Sequence, residues 1–161
     1  MTAIDIPTGA HLIDGDWLSA GPTAVSANPA RPDEPVGTYP VGDDSTASDA
    51  VSAAVAARSM WRDAGFKTRA RMLENAARLF EERGDALAAL ATSEEGKTLV
   101  ETRGEAALSA ETCRYQAAVI KMPREHIYPS SNPGETIRTV RAPLGVVGVI
   151  TPWNFPILIP V

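Results

Sequence analysis

The residues whose types and spacing could support chemistry lie near the carboxyl end of the sequence. Pro152 and Pro156 enclose Trp153, Asn154 and Phe155 directly after an apolar run. The prolines restrict the backbone between them, so the Asn154 carboxamide could act as a fixed N–H donor to a developing oxyanion while the aromatic rings exclude water. The same pattern is also typical of a proline-bounded turn whose asparagine bonds its own backbone and whose aromatic side chains fill a core.

Elsewhere the sequence is poor in catalytic groups. His11 and His126 are far apart in the sequence and stand beside apparent strand residues, which favours surface or strand positions. Cys113, the one cysteine of the sequence, is interpreted as a small buried helix residue. A single cysteine excludes an internal disulfide and a cysteine-clustered zinc site, and we expect no metal. No glycine pattern fits a P-loop or the GxGxxG dinucleotide fingerprint.

Composition and charge narrow the class of protein. The 161 residues are 44% apolar and 22% charged, which is typical of a globular domain with a core of its own. The net charge of −5 argues against a nucleic-acid partner. The apolar run at 146–150 is far shorter than the roughly 20 residues of a membrane span, and residues 1–9 lack the pattern of a signal peptide. We therefore expect no membrane association and a reducing, cytoplasmic environment.

Strand signals dominate the first 45 residues, the first of the elements that must position the Trp-Asn-Phe segment. An Asp-Gly pair at 14–15, between two short apolar runs, predicts a β-hairpin over 11–18. A loop rich in proline and small residues should follow, including Asn-Pro at 28–29 and Arg-Pro at 31–32. The weak alternation over 36–41 predicts a further strand.

Helical periodicity takes over at about residue 46 and predicts four helices. Thr46 and Asp49 resemble a capping box that would start the first helix. Apolar residues recur at helical spacing over 72–80, with charged residues on the other side, which indicates a second helix. Gly84 should end it.

The third and fourth helices are predicted from their ends. Asp85 would cap the third, and Gly96 would end it, with the charged residues at 94–97 interpreted as a solvated helix end. The Thr-x-x-Glu pattern at 98–101 predicts a capping box for the fourth helix, which should reach Lys121. This helix is rich in alanine, so it could pack closely on its neighbours.

Strand signals return beyond residue 123. Residues 129–134 are rich in turn formers, and 136–141 alternate as a strand. The β-branched run at 146–150 is typical of a strand buried on both faces of a parallel sheet. A β-rich start, a helical middle and a buried strand predict an α/β fold. Ligands of such folds bind beyond the carboxyl ends of the strands, which is where Asn154 would lie.

The end of the sequence also carries information. Residues 151–161 have no charged side chain, whereas domain ends usually lie at the surface. We therefore expect the chain to be the N-terminal part of a longer protein. The alternative is a terminal segment docked into a partner subunit.

The segment Ile-Thr-Pro-Trp-Asn-Phe-Pro at 150–156, preceded by Pro-Leu-Gly-Val-Val-Gly at 143–148, closely resembles the signature of the NAD(P)-dependent aldehyde dehydrogenase superfamily. The resemblance continues along most of the chain. It includes Ile-Asp-Gly-Asp-Trp at 13–17, Asn-Pro-Ala at 28–30, the helices at 50–61 and 71–83, Glu-Gly-Lys-Thr at 95–98 and Glu-Thr-Arg-Gly-Glu at 101–105.

The resemblance implies an α/β fold made of a β-hairpin, helices and the first strands of an incomplete, Rossmann-like parallel sheet. Residues 1–121 would form the N-terminal β-rich arm and the helical part of the cofactor-binding domain. Residues 122–142 would contain a loop and a strand of the family's oligomerisation ribbon, which implies a homodimer or homotetramer. Residues 143–161 would start the cofactor-binding sheet, which is truncated.

The resemblance further implies oxidation of an aldehyde to a carboxylic acid through a thiohemiacetal, with NAD or NADP as cofactor. Asn154 would be the catalytic oxyanion donor, and Phe155 would line the substrate tunnel. The implied cofactor-binding residues are Ile150, Thr151, Pro152, Trp153 and Asn154. Cys113 does not match the family's nucleophile. That cysteine and the general-base glutamate would lie beyond residue 161, so the isolated chain is expected to be inactive.

Two features of the sequence refine this expectation. Trp153 favours the acid-forming branch over the CoA-acylating one, and the segments at 94–99 and 128–131 look like those of bacterial semialdehyde dehydrogenases. The alternative function is a non-catalytic interaction module that docks on full-length homologues.

Overall fold

Residues 9–123 and 125–161 are described by a computed structural model, in which two antiparallel two-stranded sheets are followed by three helices and then by a third such sheet. The mixed α/β class predicted from the sequence is confirmed. The elements are β1 (His11–Ile13), β2 (Asp16–Leu18), β3 (Thr23–Asn28), β4 (Arg31–Pro40), α1 (Asp44–Asp63), α2 (Gly65–Glu95), α3 (Leu99–Ile120), β5 (His126–Pro129) and β6 (Thr136–Thr139). Residues 1–8, most of the stretch for which the sequence predicts no signal peptide, lie outside this description.

The hairpin predicted over 11–18 is confirmed as β1 and β2. Leu12 faces Trp17 across the pair. Asp14 and Gly15 have φ angles of 53° and 87°, both in the left-handed region that a tight two-residue hairpin turn requires. Aspartate and glycine are among the residues that adopt this conformation most readily, so the local sequence determines the turn.

The region predicted as a proline-rich loop is instead a second hairpin, β3 paired with β4. The strand expected at 36–41 is the end of β4, which begins five residues earlier at Arg31. Asn28 makes the turn: its side-chain oxygen accepts the Ala30 N–H at 2.9 Å. The prolines of β4 argue against a strand in the sequence. Both strands of this two-stranded sheet are edge strands, where a proline is tolerated if its nitrogen points away from the partner strand.

The first helix is capped by a different residue than predicted. Asp43, not Thr46, is the N-cap of α1, and its carboxylate accepts the Thr46 N–H at 2.9 Å. The Thr46 hydroxyl in turn accepts the Asp43 N–H at 3.4 Å. The capping box therefore spans 43–46, and Thr46 is its third helical position.

The predicted helix break at Gly84 is wrong, because the second and third predicted helices are one 31-residue helix, α2. Gly84 lies where α2 packs on α3: a Cβ at this position would be 3.9 Å from the Ala106 Cβ. Tertiary packing outweighs the weak helix propensity of one glycine, which is about 1 kcal/mol. Asp85 does not cap a helix but pairs with Arg103 of α3 at 2.8 Å.

The α2–α3 contact forms the core of the described residues. It is made almost entirely of small side chains, as the alanine-rich composition of the fourth predicted helix indicated. Ala77, Ala110 and Cys113 form its central cluster, with Ala76 and Phe80 packed against it. Small residues let two helix backbones approach closely and leave little room for larger side chains. The buried side chains of this contact include Ala70, Ala77, Ala88, Ala91, Thr102, Ala106, Ser109, Ala110, Cys113 and Ala117.

Both ends of the α2–α3 connection are as predicted. Gly96 ends α2 with φ 85°, and its N–H donates to the Thr92 carbonyl. Thr98 caps α3 in a reciprocal capping box with Glu101, and the helix reaches Ile120 with Lys121 as its C-cap. Only two residues, Gly96 and Lys97, therefore separate the last residue of α2 from the N-cap of α3.

The segment beyond α3 confirms one predicted strand and corrects another. The strand expected at 136–141 forms as β6, which pairs with β5 across the predicted turn. The strand expected at 146–150 does not form: Val149 is 72% exposed and Ile150 fully exposed. A parallel-sheet strand needs neighbours to satisfy its backbone groups and cover its faces. The described residues supply none: their sheets have two strands each, and none of these strands pairs with 146–150.

Two further expectations concern the whole chain. No helix within the described ranges is long and apolar enough to cross a membrane. The division of the chain at residues 121 and 142 stays a prediction.

Enlarging a residue of the α2–α3 contact should destabilise the protein. Ala110 is 2% exposed, and replacing it by leucine would force the two helices apart, which typically lowers the free energy of unfolding by about 1–3 kcal/mol. Ala107 lies on the same helix but is exposed, so Ala107→Leu is the matched control and should change it by less than about 0.5 kcal/mol. Urea denaturation, monitored by circular dichroism, measures the free energy of unfolding of both variants. Equal losses of stability in the two variants would contradict the packing described for Ala110.

The cap of α1 predicts a depressed carboxyl pKa. Hydrogen bonds from the Ser45 hydroxyl and from Thr46 lower the pKa of Asp43 from 3.8 to about 2. The ionised cap therefore stabilises the fold fully above pH 3.8 and loses this contribution as the pH falls through about 2. Ser45→Ala should raise the pKa of Asp43, whereas Ser48→Ala in the same helix should not. Carboxyl NMR titration measures both, and titration of Asp43 at its ordinary value in the unsubstituted protein would refute the cap.

Candidate active site

The Trp-Asn-Phe segment forms a turn at the end of an irregular stretch of chain. Residues 153 and 154 are in the turn, and the next residues begin a helical turn in which the Ile159 N–H donates to the Phe155 carbonyl at 3.1 Å. Trp153 is 80% exposed, and Asn154 is exposed. The Asn154 carboxamide has no hydrogen-bond partner among the described residues. The alternative in which this amide bonds its own backbone is therefore not the arrangement observed.

A buried carboxylate holds the helical turn that follows Asn154. Glu105 lies in the middle of α3 and is 3% exposed. Its Oε1 accepts the Ile157 N–H at 2.7 Å and the Leu158 N–H at 3.0 Å. The first N–H groups of a helical turn have no partner within the turn, and their dipoles favour a negative charge. Glu105 supplies both the acceptor and the charge.

The ammonium of Lys97 links this carboxylate to Asn154 itself. Lys97 Nζ lies 3.2 Å from Glu105 Oε2 and 2.5 Å from the backbone oxygen of Asn154, to which it donates a hydrogen bond. The same ammonium lies 3.6 Å from Glu95 Oε1 and 4.2 Å from the centre of the Phe155 ring. A cation over an aromatic face is attracted by the ring quadrupole. We call Lys97, Glu105 and Glu95 the anchor cluster.

The connection between α2 and α3 determines where Lys97 can reach. Gly96 has a φ of 85°, and a Cβ at Gly96 would stand only 2.8 Å from the Pro29 side chain. Glycine is required here both by the backbone conformation and by the space. The sharp turn places the Lys97 side chain beside α3, where its ammonium contacts the carboxylate of Glu105.

The sequence does not predict the anchor cluster, because the charged residues at 94–97 are expected to form a solvated helix end. That interpretation is wrong for two of these residues: the side chains of Glu95 and Lys97 are each only 15% exposed. The helical spacing of α3 does contain a signal that Glu105 is buried. It falls on the same helical stripe as Thr102, Ala106 and Ser109, all of which are buried.

The predicted site residues occupy one continuous stretch, but they differ in their surroundings. Ile150 is fully exposed, Thr151 half-buried and Pro152 exposed. Trp153 lines a cavity of about 570 Å³ together with side chains of α2 and of the turn. Phe155 does not line this cavity and lies under Lys97 instead. The cofactor and substrate roles of Ile150, Thr151, Pro152, Trp153 and Phe155 therefore stay predictions.

The other candidate groups occupy structural positions. Cys113 is 3% exposed in the α2–α3 contact, as predicted, and burial raises the pKa of its thiol. A buried thiol with a raised pKa is a poor nucleophile. His11 and His126 lie in β1 and β5, in agreement with their interpretation as strand residues. Within 9–123 and 125–161, no three His, Cys, Asp or Glu side chains come together in a way that could hold a metal.

Comparison with known sequences identifies the family. The sequence model of the aldehyde dehydrogenase family matches residues 17–161, nearly the whole chain. The chain belongs to the aldehyde dehydrogenase family. The resemblance found in the Pro-Trp-Asn-Phe-Pro segment and in the earlier motifs is thereby confirmed, and with it the expectation of an oxidoreductase family.

Individual aldehyde dehydrogenases match over nearly the whole chain. The α-ketoglutaric semialdehyde dehydrogenase of Bacillus subtilis is 38% identical over 156 residues, which cover 94% of this chain and 31% of that enzyme. The succinate-semialdehyde dehydrogenase [NADP(+)] of Escherichia coli is 37% identical over 90% of this chain and 30% of that enzyme. The crystal structure of an aldehyde dehydrogenase from Brucella melitensis biovar abortus superposes with a TM-score of 0.91 at 33% identity, covering 98% of this chain and 34% of that one. The chain thus spans about a third of the length of these relatives.

The burial of Cys113 predicts a thiol that does not react in the folded protein. Because Cys113 is the one cysteine in the sequence, a thiol reagent reports on it alone. We expect modification on the order of tenfold slower, or more, than for an exposed cysteine in the same helix, since the reagent must wait for local opening. The matched control is the double substitution Cys113→Ser, Ala107→Cys, which moves the thiol to an exposed position. Equal rates would contradict the burial.

Proposed function

We propose that this chain is part of an NAD(P)-dependent aldehyde dehydrogenase that oxidises an aldehyde or semialdehyde to a carboxylic acid. The observation that carries the proposal is the family match over 17–161, which includes the Pro-Trp-Asn-Phe-Pro turn. Its support in the structure is the combination found at Asn154: an exposed carboxamide on a backbone that Lys97 and Glu105 hold from within. This combination suits a donor that must face a reacting group without moving.

Asn154 would act as a donor to the oxygen of the aldehyde carbonyl. When a thiolate attacks the carbonyl carbon, the C=O π electrons move onto oxygen, and the carboxamide N–H would donate to the oxyanion that results. Donors fixed in advance stabilise such a charge without reorganising as it forms. Cys113 is not suited to supply the thiolate, since it is 3% exposed in the α2–α3 contact. The nucleophile and the general base would belong to the part of a full-length enzyme that this chain does not include, since the chain spans about a third of its relatives.

A nicotinamide cofactor fits the segment before Asn154. Residues 150–153 lie outside the described strands and lead directly into the turn at Asn154. Ile150, Thr151, Pro152 and Trp153 would hold the cofactor, largely through the backbone, and Phe155 would face the substrate. The cofactor, when bound, accepts the hydride that leaves the tetrahedral carbon. The E. coli relative is named for NADP(+), and we propose NAD or NADP for this chain.

The substrate class we propose is a short semialdehyde. The B. subtilis and E. coli relatives are named for α-ketoglutaric and succinic semialdehyde, and both match about nine tenths of this chain. A panel of aldehydes assayed with NAD and with NADP on the full-length enzyme would test the substrate and the cofactor together. We further propose assembly into a homodimer or homotetramer, with β5 and β6 as part of the interface, because their Ile127, Tyr128 and Ile137 side chains are exposed.

Removing the Asn154 carboxamide should slow turnover in the full-length enzyme. We expect Asn154→Ala to lower kcat by about 10²–10³-fold, the effect of deleting one oxyanion donor. Cofactor binding should change little, because the residues proposed to hold the cofactor act mainly through their backbone. Steady-state kinetics and a fluorescence titration with the cofactor measure the two effects separately.

The matched control replaces an asparagine outside the turn. Asn132 lies between β5 and β6, where its side chain donates to Glu135 at 2.8 Å, so Asn132→Ala should leave kcat unchanged. Near-normal turnover of Asn154→Ala would reject the role assigned to its carboxamide.

A further inference from the structure

Glu105 is a charged side chain in a place where α3 otherwise buries small residues. Its side chain is only 1% exposed, and its neighbours on the same stripe are Thr102, Ala106 and Ser109. A carboxylate withdrawn from water is strongly unfavourable unless hydrogen bonds and an opposite charge compensate it. Its side-chain partners in the described part of the chain are Lys97 and the N–H groups of the turn after Asn154. The compensation of this charge therefore depends on how that turn is placed.

The contacts of the anchor cluster hold the backbone that directly follows the Asn154 side chain. Lys97 binds the Asn154 carbonyl and lies over the Phe155 ring. Glu105 accepts the N–H groups of Ile157 and Leu158. The backbone is thus fixed at 154 and again at 157–158, whereas the exposed Asn154 carboxamide has no partner among the described residues. Fixing the backbone sets the point from which this amide can reach a ligand.

We propose that Glu105 is a positioning residue that sets the direction of the Asn154 carboxamide, with Lys97 as the link between them. This inference rests on the proposed function, because the anchor cluster has a role in the reaction only if the Asn154 carboxamide has a role in it. Glu105 touches neither substrate nor cofactor in this account. It acts through the backbone of the turn, 52 residues farther along the chain.

The expected effect follows from how sharply catalysis depends on geometry. A displacement of about 1 Å at a reacting group can slow turnover about 10²-fold. Glu105→Met keeps the length of the side chain but removes both its charge and its acceptor oxygens, so the turn loses its anchor. We expect kcat to fall between tenfold and a hundredfold, with the cofactor dissociation constant and the KM for aldehyde changed less than threefold.

The decisive measurement is a double-mutant cycle in the full-length enzyme. Glu105→Met is introduced both in the unsubstituted enzyme and in Asn154→Ala, and kcat is measured for all four proteins. If Glu105 acts through the Asn154 carboxamide, its substitution lowers kcat strongly in the first background and very little in the second. Equal factors in the two backgrounds would overturn the proposal, because Glu105 would then act independently of Asn154.

Two matched variants separate positioning from loss of stability. Glu111→Met changes an exposed glutamate of the same helix and should leave kcat unchanged. Glu105→Gln retains an oxygen that can accept both N–H groups, so it should recover most of the kcat lost in Glu105→Met. A glutamine variant no more active than the methionine variant would contradict the role of the acceptor oxygen.

Lys97→Met provides a second cycle should Glu105→Met fail to fold. It removes the contact with the Asn154 carbonyl and should show the same dependence on background, whereas an unchanged kcat would overturn the link. Failure of the proposed function is recognised separately: in that case Asn154→Ala itself leaves kcat near normal, whatever the anchor cluster does.

Discussion

The buried carboxylate of Glu105 and the ammonium of Lys97 connect the turn at Asn154 to the helices, and the placement of the turn depends on them. Three oxygens surround the ammonium, at 2.5, 3.2 and 3.6 Å, from Asn154, Glu105 and Glu95. Lysine suits this geometry because its compact head carries three N–H groups in a tetrahedral arrangement. The planar fork of arginine is suited instead to two parallel bonds with one carboxylate. The Phe155 ring occupies a further side of the ammonium, so little of it is left for water.

The helix pair α2–α3 makes this arrangement possible. A carboxylate in the middle of a helix reaches the backbone of a distant turn only where the neighbouring side chains are small, and the stripe around Glu105 consists of Thr102, Ala106 and Ser109. Ser109 is satisfied within its own helix by donating to the Glu105 carbonyl at 2.9 Å, so it places no demand on the carboxylate. Gly96 supplies the second condition, because only glycine allows the chain to turn so tightly against Pro29. Close helix packing and a sharp connection together bring the charges within contact distance.

The sequence predicts those parts of the fold that local interactions determine. The hairpin at Asp14-Gly15, the end of α2 at Gly96 and the capping box at Thr98 are each specified by a few consecutive residues, and each is confirmed. The failures occur where distant contacts decide. Gly84 continues a helix because α3 packs against it, and residues 146–150 form no strand because the described residues offer no neighbouring strand. Local helix and strand propensities do not contain information about either of these distant contacts.

The same division between local and distant signals holds at the candidate site. Asn154 could be singled out because prolines and aromatic residues surround it in sequence, and the structure leaves its carboxamide exposed. Glu105 and Lys97 could not be assigned to it, since their contacts with the turn cross more than fifty residues. Yet a glutamate that interrupts a stripe of buried small residues is itself a signal, because burying its charge is favourable only with a partner. The helical period places Glu105 on the buried face of α3, which indicates that another part of the chain must bring N–H groups to its carboxylate. The turn after Asn154 is the part that does so.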